Sequence, residues 1–255
     1  MLLQTTVLMT SKFDQQRFVI LKESSVHAHA EEFQRNRFQI VVAGDPEVGK
    51  STYLKLLRTK EFDSTRRVTT ATDLVIYYIM LIDSQRYVKM VFFDMVGQDI
   101  NRPDDLEPLL GKSDAVLAFF DASRPKTFEN LSRWKVRLDK TIGKGEYKLF
   151  VVCNKTDLLA DEGEELVSKI DCWRRRATDE LGAERFVLVS VINNDNCFNL
   201  CYELAETIFS VRDQSAYETG QKLDFRKIPA ISHYAVMLDE REEKKKNKYW
   251  FCLLL

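Results

Sequence analysis

Apolar residues in this chain form short runs separated by polar segments that carry glycine, proline or charge. The run at residues 38–43 contains several β-branched side chains, which predicts a buried strand. Apolar positions at helical spacing follow in residues 51–57. Residues 73–82 and 87–94 then predict the two strands of a hairpin. The first half of the chain therefore predicts a strand, a helix and a hairpin, in that order.

The second half of the chain alternates between strand-like and helix-like patterns. Apolar runs at 115–120, 149–152 and 185–189 predict three short buried strands. Positions at helical spacing are Phe128, Leu131 and Trp134 after the first run, and Leu200, Leu204 and Ile208 after the last. This alternation predicts a mostly parallel sheet with helices on both faces, which binds ligands at the carboxyl ends of its strands.

Composition narrows the class of protein. The chain has 255 residues, of which 45% are hydrophobic, and this is typical of a globular protein with a substantial core. Its net charge of −1 comes from intermixed acidic and basic residues. Because nucleic-acid-binding proteins present an extended basic surface, we expect no nucleic-acid partner.

The segment from Gly44 to Ser51, with the sequence GDPEVGKS, fits a phosphate-binding pattern. The pattern has two glycines with four residues between them, followed by a lysine and a hydroxyl residue. It lies between the predicted strand and the predicted helix, so backbone N–H groups of the loop and the helix N-terminus face a bound phosphate. Lys50 would place its charge against the β- and γ-phosphates, and Ser51 would bind a magnesium ion.

A second motif follows the second strand of the hairpin. Asp94 can hold magnesium through a water, and Gly97 can donate its N–H to a γ-phosphate. Gln98 is then placed to orient an attacking water. These three residues predict phosphate chemistry beside the glycine-rich loop.

A third motif, Asn154-Lys155-Thr156-Asp157, follows the predicted strand that ends at Cys153. A carboxylate at Asp157 can accept hydrogen bonds from the N1–H and the exocyclic amine of guanine. Adenine does not present these two donors. Ser190 ends the next strand, where backbone N–H groups of its neighbours can reach the guanine O6. The base that these residues favour is guanine.

Together these motifs resemble those of the Ras-like small GTPases, in the same order, over about residues 37–212. The resemblance implies a P-loop NTPase fold with a six-stranded, mostly parallel sheet, preceded by an extension at 1–36 and followed by a tail at 213–255. It also implies a switch that binds GTP or GDP with Mg²⁺ and meets an exchange factor, a GTPase-activating protein and effectors. The implied nucleotide contacts are Asp45, Pro46, Glu47, Val48, Gly49, Lys50, Ser51, Thr52, Phe62, Thr69, Gly97, Asn154, Lys155, Asp157, Ser190, Val191 and Ile192.

The resemblance further assigns roles within that set. Thr69 lies as far beyond Gly44 as the switch threonine of the family lies beyond its first loop glycine, so Ser51, Thr69 and Asp94 are the expected magnesium ligands. Gln98 and Lys50 are the expected catalytic residues. By the same count, Phe62 matches the aromatic residue that packs against guanine; a plain loop anchor is the alternative for this side chain.

Departures from the family pattern leave two functions open. Pro46 stands where Ras has glycine, and its ring removes one N–H and adds bulk beside the γ-phosphate. Met95 and Val96 stand where threonine and alanine are usual. One function is a working, slow GTPase; the other is a GTP-binding interaction module that does not hydrolyse GTP.

The last four residues, Cys252 to Leu255, match the prenylation pattern that favours geranylgeranyl. Lysines just upstream provide a second attraction for an anionic leaflet: Lys244, Lys245, Lys246 and Lys248. We therefore expect lipidation at Cys252 and a location on the cytoplasmic face of a membrane.

Overall fold

A computed structural model describes residues 17–65, 69–97, 107–159 and 163–219. Its main feature is a seven-stranded sheet with the strand order β1-β3-β4-β2-β5-β6-β7. The strands are β1 (Phe18–Ile20), β2 (Arg37–Ala43), β3 (Asp73–Leu81), β4 (Arg86–Asp94), β5 (Ala115–Asp121), β6 (Lys148–Asn154) and β7 (Arg185–Leu188). From β4 to β7 neighbouring strands pair in parallel, whereas β1 with β3 and β3 with β4 are antiparallel.

Helices connect the strands and cover the sheet. They are α1 (Glu23–Val26), α2 (Ala30–Arg35), α3 (Lys50–Thr59), α4 (Lys126–Glu129), α5 (Leu131–Thr141), α6 (Gly163–Asp179) and α7 (Cys197–Thr219). Short 3-10 turns lie at His27–His29, Glu107–Lys112 and Thr156–Leu159. Among the described residues, none of the helices combines the length and the apolar character that crossing a membrane requires.

The sheet separates two hydrophobic cores. Apolar residues of α3 and α7 fill one core, including Tyr53 and Leu204. Residues of α5 and α6 fill the other, including Trp134 and Trp173. Every residue of β5 is buried because this strand has helices on both faces, as expected for a central parallel strand.

The predicted α/β class and the mostly parallel sheet are confirmed, but the sheet has seven strands rather than six. The additional strand, β1, comes from the segment that precedes β2, and Val19 of β1 pairs with Met80 on the edge of the hairpin. The same segment continues into α2, where Phe33 is 2% exposed and packs edge-on against Tyr78 and Tyr87. Residues 17–35 thus pack against the sheet at its hairpin edge.

Candidate functional site

The predicted site residues gather at the carboxyl ends of the parallel strands. The glycine-rich loop follows β2, Asp94 ends β4, and Asn154 ends β6. Because these strands run in parallel, their carboxyl ends share one edge of the sheet, where α/β folds bind ligands.

The glycine-rich loop leads directly into α3, which begins at Lys50. Gly49 has a φ of +101°, and a Cβ atom there would collide with the side-chain amide of Asn154, so this position requires glycine. The Lys50 side chain is 6% exposed, and its Nζ donates to the carbonyl oxygens of Gly44 (2.8 Å) and Asp45 (2.9 Å). Burial lowers the pKa of Lys50 to about 8, although the charges of Asp94 and Asp45 oppose this shift. The loop therefore carries a buried amine at the start of a helix.

Three oxygen-bearing side chains meet beside this amine. Ser51 Oγ and Thr69 Oγ1 lie 2.8 Å apart, although 18 residues separate them in the chain. Asp94 is 4% exposed, and its Oδ1 has no hydrogen-bond partner among the described residues. Burial raises the pKa of Asp94 to about 6, against the opposing effects of Ser51 and Lys50. A buried oxygen of this kind needs a cationic or donating partner.

Gly97 brings the chain after β4 against the glycine-rich loop. A Cβ atom at Gly97 would lie 2.5 Å from the backbone nitrogen of Pro46 and 2.6 Å from the carbonyl carbon of Asp45. Only glycine allows this approach. Residues 44–51 and residues 95–97 thus form one continuous surface.

The third motif forms the other end of the site. Asn154 Nδ2 donates to the Val48 carbonyl (2.8 Å), and Val191 N donates to Asn154 Oδ1 (3.2 Å). Ser190 Oγ donates to a carboxylate oxygen of Asp157. Asn154 thereby ties the glycine-rich loop to the segments that carry Asp157 and Ser190.

Lys155 has a left-handed φ of +63°, and its Nζ lies 2.7 Å from Asp121 Oδ2. Asp121 is 1% exposed. Burial raises the pKa of Asp121, but hydrogen bonds from Lys155, Ser123 and Arg124 outweigh this effect, so the pKa lies below its ordinary value. Lys155 is therefore held by an ionised carboxylate at the end of β5.

Other predicted residues lie around this arrangement. Phe62 is 40% exposed and Ile192 is 52% exposed, so both have surface available to a ligand. Thr52 lies in the first turn of α3. Gln98 and Cys252 lie outside the described residues, as do the four lysines near the end of the chain.

Comparison with known proteins finds similarity to one family. The protein-family model "Ras of Complex, Roc, domain of DAPkinase" matches residues 39–157. Ras-related protein RABA1i of Arabidopsis thaliana is 28% identical over 184 residues, which cover 72% of this chain and 79% of that protein. Ras-related protein RabV of Dictyostelium discoideum is 29% identical over 52% of this chain. These similarities support the Ras-like small GTPase superfamily for this chain.

The chain is also similar to the Intraflagellar transport protein 27 homolog of Bos taurus, which is 28% identical over 46% of the chain. The chain covers 56% of the length of RabV and 64% of the length of the bovine protein, which is less than two thirds in each case. Ras-family GTPases bind GTP or GDP together with Mg²⁺.

The residues at this sheet edge fit those ligands. Mg²⁺ prefers hard oxygen ligands, and the hydroxyls of Ser51 and Thr69 with the unpartnered Asp94 Oδ1 supply them. The buried Lys50 and the N-terminus of α3 supply the positive charge and N–H donors that phosphate requires.

Four residues that support the site had no role in it predicted from the sequence. Asp121 holds Lys155, and Arg124 donates to the Pro46 carbonyl (3.1 Å). Asn130 and Trp134 both donate to the Asp45 carboxylate. These four residues belong to no phosphate or base motif, and the one signal that the sequence analysis used was the helical spacing of Trp134.

Proposed function

We propose that this protein is a guanine-nucleotide switch that binds GTP or GDP with Mg²⁺ and hydrolyses GTP slowly. The observation that carries the proposal is the pairing of two chemistries at one sheet edge. Ser51, Thr69 and Asp94 offer oxygen ligands at one end, and Asp157 with Ser190 forms a polar pair at the other. The Asn154–Val48 hydrogen bond joins the two ends.

At the phosphate end, Lys50 and Mg²⁺ would place positive charge against the negative phosphate oxygens. Lys50 is fixed by two carbonyl oxygens, so its ammonium group needs little reorganisation to meet a phosphate. The bound Mg²⁺ supplies charge neutralisation for the phosphate oxygens. Thr69 already lies beside Ser51, which is the position needed to sense a γ-phosphate and its metal ion.

The base end would select guanine. Ser190 donates to one carboxylate oxygen of Asp157 and so restrains the rotation of that side chain. A restrained carboxylate can accept two hydrogen bonds from guanine in one plane. Phe62 and the Lys155 stem would cover the two faces of the base.

Hydrolysis would depend on Gln98, which orients the attacking water, and on Lys50, which stabilises charge on the transferring phosphate. We expect slow intrinsic turnover that a GTPase-activating protein accelerates with an arginine. The alternative is a GTP-binding module without hydrolysis. The close approach of Gly97 to the Pro46 backbone favours this alternative, because the proline ring would then lie near the segment that we propose binds the γ-phosphate.

Two measurements on the purified full chain test the proposal. The nucleotide that co-purifies is extracted and identified by chromatography, and we expect GDP or GTP. Single-turnover hydrolysis of GTP is then compared for wild type, Gln98→Leu and the control Gln34→Leu, which changes an exposed residue of α2. We expect Gln98→Leu alone to slow hydrolysis. Absence of a guanine nucleotide contradicts the proposal, and equal zero rates in all three proteins favour the non-hydrolysing module.

The proposed partners are an exchange factor, a GTPase-activating protein and effectors that read the nucleotide state. Membrane attachment would use a prenyl group at Cys252, supported by the lysines at 244, 245, 246 and 248. Similarity to a Ras-related protein and to a protein named for intraflagellar transport supports a role in trafficking or signalling, which we propose takes place at the cytoplasmic face of a membrane.

A further inference from the structure

Side chains from residues 124–134 donate hydrogen bonds to the glycine-rich loop. The Asp45 carboxylate receives two hydrogen bonds, from Asn130 Nδ2 to Oδ2 (2.6 Å) and from Trp134 Nε1 to Oδ1 (3.1 Å). Next to it, Arg124 Nη2 donates to the Pro46 carbonyl (3.1 Å). We call Arg124, Asn130 and Trp134 the loop clamp, because three side chains within eleven residues bind two consecutive loop residues.

The donors of the loop clamp are themselves fixed. Trp134 is 1% exposed and packs with Leu131 and Leu138 in the core beneath α5. Asn130 directly precedes α5, so its side chain starts from the end of a packed helix. Donors on such rigid elements hold their acceptors in one geometry.

Arg124 connects the loop to the base end of the site. Its Nε donates to Asp121 Oδ2 (2.8 Å), and the same oxygen lies 2.7 Å from Lys155 Nζ. Asp121 is buried, so both cations bind a carboxylate that cannot move freely. The position of the Pro46 carbonyl and that of the Lys155 side chain therefore depend on one group.

The loop clamp also fixes the direction of the Asp45 carboxylate. The side chain of Asp45 is a carboxylate in a loop that would bind phosphate, and like charges repel each other. Since Asn130, just before α5, and Trp134, within it, occupy both oxygens of Asp45, the carboxylate is held toward that helix. Pro46, which has no N–H, is held through its carbonyl instead.

We propose that Arg124, Asn130 and Trp134 are positioning residues that keep residues 45 and 46 in the conformation that binds phosphate and thereby slow nucleotide release. This inference rests on the proposed nucleotide-binding function. Its physical basis is preorganisation: a loop already held in its binding conformation loses less freedom when the ligand binds.

The test uses Trp134→Phe, which keeps an aromatic ring in the core but removes the N–H. Trp173→Phe is the matched control, because Trp173 is also buried and packs against Phe120 and Phe128 of the same core. The dissociation rate of a fluorescent GDP analogue is measured with Mg²⁺ present. Loss of a hydrogen bond to a charged group corresponds to about a tenfold faster release for Trp134→Phe. We expect little change for Trp173→Phe.

A double-mutant comparison separates positioning from packing. Trp134→Phe is also introduced into an Asp45→Ala protein, where the indole N–H has lost its acceptor. We expect no further acceleration of release in that background, whereas a packing role gives the same factor in both backgrounds. Asn130→Ala provides a variant outside the core, for which we again expect faster release.

The outcomes are distinguishable. If the wild-type chain binds no guanine nucleotide, the proposed function is wrong. If it binds the analogue and Trp134→Phe releases it no faster than Trp173→Phe does, the loop clamp is overturned. An equal acceleration by Trp134→Phe in both backgrounds also overturns it.

Discussion

Asp94 ends β4, Asp157 lies in the turn that follows β6, and the different surroundings of these two aspartates suit different ligands. Asp94 is 4% exposed with an unpartnered oxygen, and burial raises its pKa to about 6. Asp157 is half-buried and accepts a hydrogen bond from Ser190. A desolvated carboxylate is stabilised by a nearby cation, whereas a half-exposed one can take hydrogen bonds from an incoming base.

At this scale we predict that Asp157→Asn exchanges guanine specificity for xanthine. Loss of a charge-assisted pair costs about 1.5–3 kcal/mol, which lowers GTP affinity by roughly one to two decades. The amide can instead donate to the additional oxygen of xanthine. Competition of GTP and xanthosine triphosphate against a fluorescent GDP analogue measures both effects. The control is Asp179→Asn on the exposed side of α6, and unchanged GTP affinity in Asp157→Asn contradicts the assignment.

At the scale of elements, much of the fold follows from local pattern. The hydrophobic runs predict β2 to β7, and the glycine-rich loop predicts the start of α3, because each signal lies within ten consecutive residues. The strand β1 has three residues, and its partner lies about sixty residues away, so no local period reveals it. The Trp134–Asp45 hydrogen bond is equally hidden, since Trp134 fits a helical core position whether or not its N–H has a partner.

The segment at residues 17–35 gives a prediction about stability. Phe33→Ala removes a ring that is 2% exposed and packs against Tyr78 and Tyr87, so we expect a loss of about 3–5 kcal/mol. Urea unfolding measures it. Val136→Ala, at a position 70% exposed, is the control and should stay within about 0.5 kcal/mol of wild type. A Phe33→Ala protein as stable as that control shows that α2 does not contribute to the fold.

At the scale of the whole molecule, the nucleotide state should change two distant segments together. We predict that a non-hydrolysable GTP analogue protects amides in residues 62–73 and 95–108 relative to GDP, because a γ-phosphate can bind Thr69 and Gly97 at once. Hydrogen exchange followed by mass spectrometry measures this, with the buried strand β5 as the internal reference. Equal protection in both nucleotide states shows that the chain is not a switch.

Attachment to membranes is a second proposal that concerns the whole chain. We predict that Cys252→Ser leaves the protein in the soluble fraction of cells with nucleotide binding intact, since a buried lipid chain contributes about 0.8 kcal/mol per CH₂. Cys172→Ser, at an exposed cysteine of α6, is the control. Mass spectrometry of protein from prenylating cells reports the lipid directly. An unmodified Cys252 still followed by Leu253 to Leu255 rules the proposal out.

The aromatic contacts of residues 17–35 also bear on how the protein can be produced. A recombinant version that begins at Arg37, where the resemblance to the Ras-like GTPases starts, lacks Phe18 and Phe33. Tyr78, Tyr87 and Phe198 then lose their covering rings and face solvent together with the uncovered edge of β3. Exposed aromatic surface beside an open strand edge promotes self-association. The start site chosen for expression therefore decides whether a purified sample stays monodisperse.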